Sequence, residues 1–225
     1  MKRLLVIFLV SLSTTAYASD ENCRELAKKV LNLKEGNSVV YGTPLCKAMP
    51  DDAGKTIMVL GDEVMVVRAS SGQIVSHGVF GTTPVGSTPA SIDTAPYWLT
   101  PTVRGFGIRF SAYYPHYHAG ENHQTLNMYI IESENIRPVM ELLIVSLDIG
   151  VEECKDDTHE DDCTQSSLTY QSTISMAKTR HNGYADLIVK VRDASGKVVT
   201  NKLTYNASHY VGPPDSMEDP VDPVQ

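Results

Sequence analysis

The sequence predicts a mainly β protein, an antiparallel sandwich or barrel with one N-terminal helix. Three observations carry this reading. Short runs rich in β-branched residues recur along the chain, divided by turns of Gly, Pro, Asn, Asp and Ser. Several of these runs alternate apolar and polar residues with period two, as half-buried strands do. Only one helical pattern is visible, where a parallel sheet would need a crossover between successive strands.

The elements follow in chain order. Residues 1–18 read as a secretory signal peptide. Met1-Lys2-Arg3 is a basic head, Leu4 to Leu12 an apolar run and Ala16-Tyr17-Ala18 an A-x-A cleavage site. The apolar run is too short for a spanning helix, and Cys23 lies five residues beyond Ala18, too far for lipid attachment at the cut. The expected address is the bacterial periplasm or the outside of the cell. From Asn22 to Leu33 the apolar positions Leu26, Ala27, Val30, Leu31 and Leu33 fall mostly on one helical face, with Asp20 or Asn22 as cap and Gly36 as stop.

Strand patterns then dominate. They cover Thr56 to Leu60, Glu63 to Arg68 and, after the turn at Ser70-Ser71-Gly72, Gln73 to Phe80. Gly81 to Pro96, with three prolines, reads as a loop. Thr102 to Tyr114 alternates, with Phe106, Ile108, Phe110 and Ala112 on one face. Leu126 to Glu132 follows. Val139 to Ile149 is apolar on both faces from Met140 to Val145 and reads as a central, buried strand. Ser166 to Ala177 is a further strand, and Tyr184 to Arg192 with Lys197 to Tyr205 forms a hairpin. Residues 19–211 are thus expected to form a single β-rich domain. Residues 212–225, with four prolines and four acids, are expected to be a disordered acidic tail.

One internal echo links Val67-Arg68-Ala69-Ser70-Ser71-Gly72-Gln73-Ile74-Val75 to Val191-Arg192-Asp193-Ala194-Ser195-Gly196-Lys197-Val198-Val199. A duplicated propeller blade would need far more than this. Shared turn chemistry, with Gly supplying positive φ, accounts for it.

Composition narrows the partners. The hydrophobic fraction of 42% supports a core. Without the leader, 17 basic residues face 27 acidic ones, so nucleic acid and anionic membrane surfaces are excluded as favoured partners. No other apolar stretch suggests membrane insertion. The four cysteines, Cys23, Cys46, Cys154 and Cys163, are an even set for an oxidising compartment. Local pairing as Cys23–Cys46 and Cys154–Cys163 is expected, because the eight residues between the second two make an easily closed loop. The absence of a C-x-x-C pair argues against a thiolate metal site.

Three stretches could carry chemistry. His116, His118, Glu121 and His123 fall within eight residues and could hold a transition metal such as zinc, since His116 and His118 share a face on an extended strand. The first cupin motif is similar, but Glu121 comes one residue early and no second motif follows. The competing reading is a polar loop with no cofactor. Glu152 to Cys163 carries seven acids in its first eleven residues without an EF-hand spacing, and reads as a solvated hairpin tip rather than a calcium loop. Tyr97, Trp98, Tyr113, Tyr114 and Tyr117 could form a contact surface for a protein or glycan, or serve as ordinary sheet faces. No G-x-S-x-G elbow, glycine-rich phosphate loop or H-E-x-x-H is present. Paired glycosidase carboxylates have no sequence signature, so hydrolysis stays open.

The segment from Asp93 to Arg109, DTAPYWLTPTVRGFGIR, with Leu126-Asn127-Met128-Tyr129 and Arg137-Pro138-Val139, resembles uncharacterised secreted β-rich proteins of Gram-negative bacteria. The resemblance implies an exported β protein and supplies no activity. The expected function is a secreted or periplasmic non-catalytic binding protein that contacts a protein or glycan through its tyrosine-rich surface. The alternatives are a metal-binding protein or metalloenzyme using the His cluster, and a structural envelope component.

Overall fold

The computed structural model of the chain describes residues 20–32, 42–115, 120–154 and 163–212. Within them one helix, α1 (Asp20–Val30), precedes twelve strands. These are β1 (Leu45–Met49), β2 (Asp52–Leu60), β3 (Glu63–Arg68), β4 (Ile74–Val79), β5 (Thr88–Trp98) and β6 (Arg104–Pro115), then β7 (Gly120–Glu132), β8 (Asn135–Cys154), β9 (Cys163–His181), β10 (Tyr184–Arg192), β11 (Val198–Tyr205) and β12 (Tyr210–Val211).

The protein is mainly β with one helix near the N-terminus. The strands form one hydrogen-bonded network in the order β1-β2-β3-β4-β8-β9-β10-β11-β12, from which β7, β6 and β5 branch beside β8. Of the expected sandwich or barrel, the barrel is not formed: the described path ends at β1 and β12 without closure. The network is also mixed, because β4 meets β8 in parallel at His77↔Asn135. Every other pairing is antiparallel.

Period-two alternation sorts the core into three parts. In β2 and β3, Met58, Leu60, Met65 and Val67 face α1, meeting Leu26 and Ala27. The alternate residues Ile57, Val59, Val64 and Val66 face Phe106, Ile108 and Phe110 of β6. On β7, Tyr129 joins that second core, while Leu126, Met128 and Ile130 turn to a third core with Leu187, Val189 and Leu203 of β10 and β11. Helix, first strand layer, middle layer and last layer thus stack in sequence order. The long strands join them. β9 pairs with β8 up to Gln171 and with β10 from Gln171 onward, so one strand serves two neighbours in succession.

Helix α1 buries Cys23, Leu26 and Ala27 and half-buries Val30, the i, i+3, i+4, i+7 spacing of one helical face. Asn32, at φ 51°, ends it in the left-handed conformation that closes many helices. The Cys23–Cys46 disulfide, as expected from the sequence, ties the helix to β1. Gly72 (φ 74°) in the β3–β4 turn lies against the helix, where an added Cβ would sit 2.8 Å from Lys29 Cβ.

Two readings of the sequence need correction. The region from Gly81 to Pro96 is not all loop, since β5 begins at Thr88. Its prolines are tolerated because the ladder with β6 shifts register between Pro89 and Ser91 and again between Asp93 and Tyr97, so Pro96 falls where no regular pairing is required. The strand from Val139 to Ile149 is central but not buried throughout. Leu142 has φ 57° and is exposed, in an irregularity opposite Asn127. The longest unbroken buried run among the described residues is in β7, where Thr125 to Ile130 are all covered. The two echoed turns share a left-handed glycine, Gly72 at φ 74° and Gly196 at φ 84°, but differ in size: Gly72 N–H donates to Arg68 O, four residues back, and Gly196 N–H to Asp193 O, three back, both at 2.9 Å.

Candidate functional site

The far end of the β6–β7 hairpin gathers aromatic side chains on both faces. Register sets the faces: Ala112↔His123, Tyr113↔Asn122 and Tyr114↔Glu121. Tyr114 continues the face of Phe110 and Ala112. Its ring packs edge-on against His123, with centroids 4.9 Å apart, and its hydroxyl donates to Val85 O at 3.1 Å. Glu121 and His123, two residues apart on one strand face, are hydrogen-bonded at 2.7 Å. Tyr113 takes the opposite face and is 62% exposed. One side of its ring lies over Gly120, where any Cβ would come within 2.4 Å of the hydroxyl oxygen. The glycine therefore lets the ring lie flat across the hairpin and leaves its other side to solvent.

The remaining aromatic candidates do not join this group. Tyr97 is only 6% exposed and belongs to the core, its hydroxyl donating to Asp93 Oδ2 at 3.1 Å. Trp98 is 44% exposed, with the Arg104 guanidinium 5.6 Å from its ring centre. It pairs with Arg104 at the other end of the hairpin, nine positions from Tyr113. At roughly 3.4 Å per residue that is about 30 Å away. Tyr117, His116 and His118 lie outside the described residues, as does most of the acidic stretch after Glu153. Of the His cluster, only Glu121 and His123 are placed. Among the described residues no three His, Cys, Asp or Glu side chains converge as a metal site. Cys154 and Cys163 face each other in the β8–β9 register, but their side chains lie outside the described residues.

Three polar clusters were not anticipated. In β10, Asp186 has no exposed side-chain surface and accepts from Thr179 Oγ1 (2.5 Å), His181 Nδ1 (2.6 Å) and Lys202 Nζ (2.8 Å). Burial pushes its carboxyl up, but the hydrogen bonds from Lys202, Thr179 and His181 outweigh that and hold it at about 2. An aspartate on Nδ1 is how catalytic histidines are oriented. Here no hydroxyl or thiol is bonded to His181 Nε2 among the described residues, and Thr179 donates its proton to the aspartate, so the geometry is that of a clasp between β9, β10 and β11. The second cluster is Asp93, which accepts from Arg109 Nη2 (2.6 Å), Tyr97 and the Ala95 N–H, while Arg109 Nη1 reaches Gln124. Burial raises the Asp93 carboxyl, and the Ala95 and Arg109 hydrogen bonds bring it below its ordinary value. The third is Asn127, fully buried in β7. It donates to Thr82 O and accepts from the Leu142 N–H, both at 2.8 Å. For two of them the signal was present in the sequence as a lone polar residue inside an apolar strand: Asp186 before Leu187, Asn127 between Leu126 and Met128.

A small cleft lies beside Arg104 and Asp51, between β1, β5 and β6, with about 20 Å³ of room. That is water-sized, far below the roughly 300 Å³ of a small-molecule site. The arrangement at the hairpin end suits contact with a surface on the Tyr113 face, where one flat ring is exposed; the Tyr114 ring, braced by His123, stiffens the opposite face. No family model, curated protein or solved structure matches this chain.

Proposed function

We propose that the chain is an exported binding protein that works without catalysis, meeting a protein or glycan through the tyrosine-bearing end of the β6–β7 hairpin. The observation that carries this reading is the exposed Tyr113 ring, laid flat over Gly120, with the braced Tyr114 on the opposite face of the same hairpin end. A flat, rigid aromatic face loses little conformational freedom on binding and stacks equally on a sugar face or an apolar protein patch. The leader-like N-terminus and the Cys23–Cys46 disulfide support periplasmic or secreted placement. The test is retention of envelope proteins and of a glycan panel by immobilised wild-type protein and by a Tyr113→Ala/Tyr114→Ala variant. Species held by the wild type and lost in the variant support the proposal. Equal retention by both overturns it.

A second reading rests on the Glu121–His123 pair, which sits on the strand following His116 and His118 in sequence. It makes this end a transition-metal site. Elemental analysis of the purified protein separates the two: stoichiometric zinc, copper or iron, lost when His116 and His118 are changed together to Ala, favours metal.

A further inference from the structure

A second surface, independent of the aromatic end, lies on the last strand layer. Residues 164–212 carry six Lys and Arg against two Asp, while the rest of the chain carries 13 against 25. The stretch from β9 to β12 is therefore basic within an acidic protein. In β10 and β11 the residues Leu187, Val189 and Leu203 point to the core, so Ile188, Lys190, Arg192, Thr200 and Lys202 share the outer face. Lys202 is engaged by Asp186. Among the described residues, Lys190 and Arg192 have no carboxylate partner.

Beside this basic face is an open strand edge. β11 pairs with β10 without a register shift from Val198 to Leu203. On its other side β12 covers only Thr204 and Tyr205. Among the described residues nothing pairs with that side of Val198 to Asn201. Val198 and Val199 there are 44% and 49% exposed, on opposite faces of the strand. No proline or bulge interrupts the stretch, two of the devices that blunt natural edges.

We propose that the Val198–Asn201 edge of β11 takes an extended acidic peptide of a partner protein as an added antiparallel strand. In β-augmentation the main chain supplies hydrogen bonds and alternate side chains supply selectivity. Residues of the incoming strand opposite Val198 and Thr200 emerge on the same outer face as Lys190 and Arg192, which lie one strand further in, about 10 Å away and within reach of long side chains, and should be acidic. Those opposite Val199 emerge on the other face and should be apolar. The charge pattern disfavours a second copy: an antiparallel self-pairing centred between Val199 and Thr200 would set Lys197 against Lys202, like charges directly opposed.

The test uses the full oxidised chain and a fluorescently labelled peptide of three Glu-Val repeats, read by anisotropy at low and physiological salt. Saturable binding is expected, weakened about tenfold or more by Lys190→Glu with Arg192→Glu, and by N-methylation of alternate peptide amides. Equal binding of the N-methylated peptide, or of a Lys-Val peptide, overturns the proposal, because then no ladder or no charge selection operates. Failure to bind overturns it too. Binding seen only after removal of residues 213–225 would assign the edge to the chain's own acidic tail. A concentration-dependent dimer that Val199→Lys dissolves would assign it to a second copy. Either result overturns the partner assignment.

Discussion

Asn127 and Asp186 show how single polar side chains hold this structure. Asn127 sits fully buried between two apolar neighbours because two backbone groups need it: the Leu142 N–H, turned out of the ladder by its positive φ, and the Thr82 carbonyl. Asn127→Ala removes the partner of both part-buried groups, which should destabilise by about 1–2 kcal/mol. Urea unfolding measures this, and a loss under about 0.5 kcal/mol, the range of an ordinary surface change, would contradict it. Asp186 supplies a pH signature. Its folded-state pKa of about 2 lies below the ordinary 3.8, so the unfolded chain binds the proton first as pH falls. The stability it contributes is whole above about pH 4 and lost as pH drops toward 2. Asp186→Asn should therefore lower stability at neutral pH, with the gap to wild type closing between pH 4 and 2. A constant gap across that range would show that the Lys202, Thr179 and His181 contacts do not set the titration.

At the scale of elements, close backbone approaches decide which strands meet. β4 joins β8 through one parallel contact, and Gly78 makes it possible: a Cβ there would lie 2.1 Å from the Ile136 carbonyl oxygen. The obstacle is main chain, so Gly78→Ala must separate the strands rather than nudge a side chain. A loss of about 3 kcal/mol is expected by thermal or urea unfolding. A variant as stable as wild type would mean the β4–β8 junction contributes little. The β8–β9 hairpin carries its own prediction. Cys154 and Cys163 are directly cross-strand, a placement at which Cα atoms lie about 4.5–5.5 Å apart, within disulfide reach. Non-reducing peptide mapping should join them to each other and Cys23 to Cys46. A peptide linking Cys23 to Cys154 or Cys163 would refute the local pairing. Element boundaries were legible where alternation and turn chemistry agreed, as in β3 and β10, whose limits match the sequence reading. β5 was hidden because Pro89 and Pro96 read as breakers, and only its position beside β6, with two register shifts, makes them harmless.

For the whole molecule, stability should reside in the stacked layers and not in the chain beyond β12. Deleting residues 212–225 is expected to leave the melting temperature within about 2 °C, since only Met217, Val221 and Val224 among them are sizeable apolar groups. A fall of several degrees would make the tail part of the fold. The candidate site was partly legible on the same terms. Composition and spacing drew attention to Tyr97, Trp98, Tyr113 and Tyr114, but could not tell which would share a surface. That depends on strand register and on what covers each face: the core takes Tyr97, and the length of the hairpin separates Trp98 from Tyr113.

By itself the sequence determined the β class, the single N-terminal helix, its Cys23–Cys46 tie and the limits of strands such as β3 and β10. These follow from local periodicity, turn residues and loop length, which act over a few residues. The tertiary structure alone decided that the strands branch around β8 instead of closing into a barrel, that the middle of β7 is covered on both faces, and that Asp186, Asp93 and Asn127 acquire partners. Such outcomes depend on contacts between residues far apart in the chain, such as Asn127 with Thr82 or Gly78 with Ile136. Their sequence trace is a single residue with no period to reveal it.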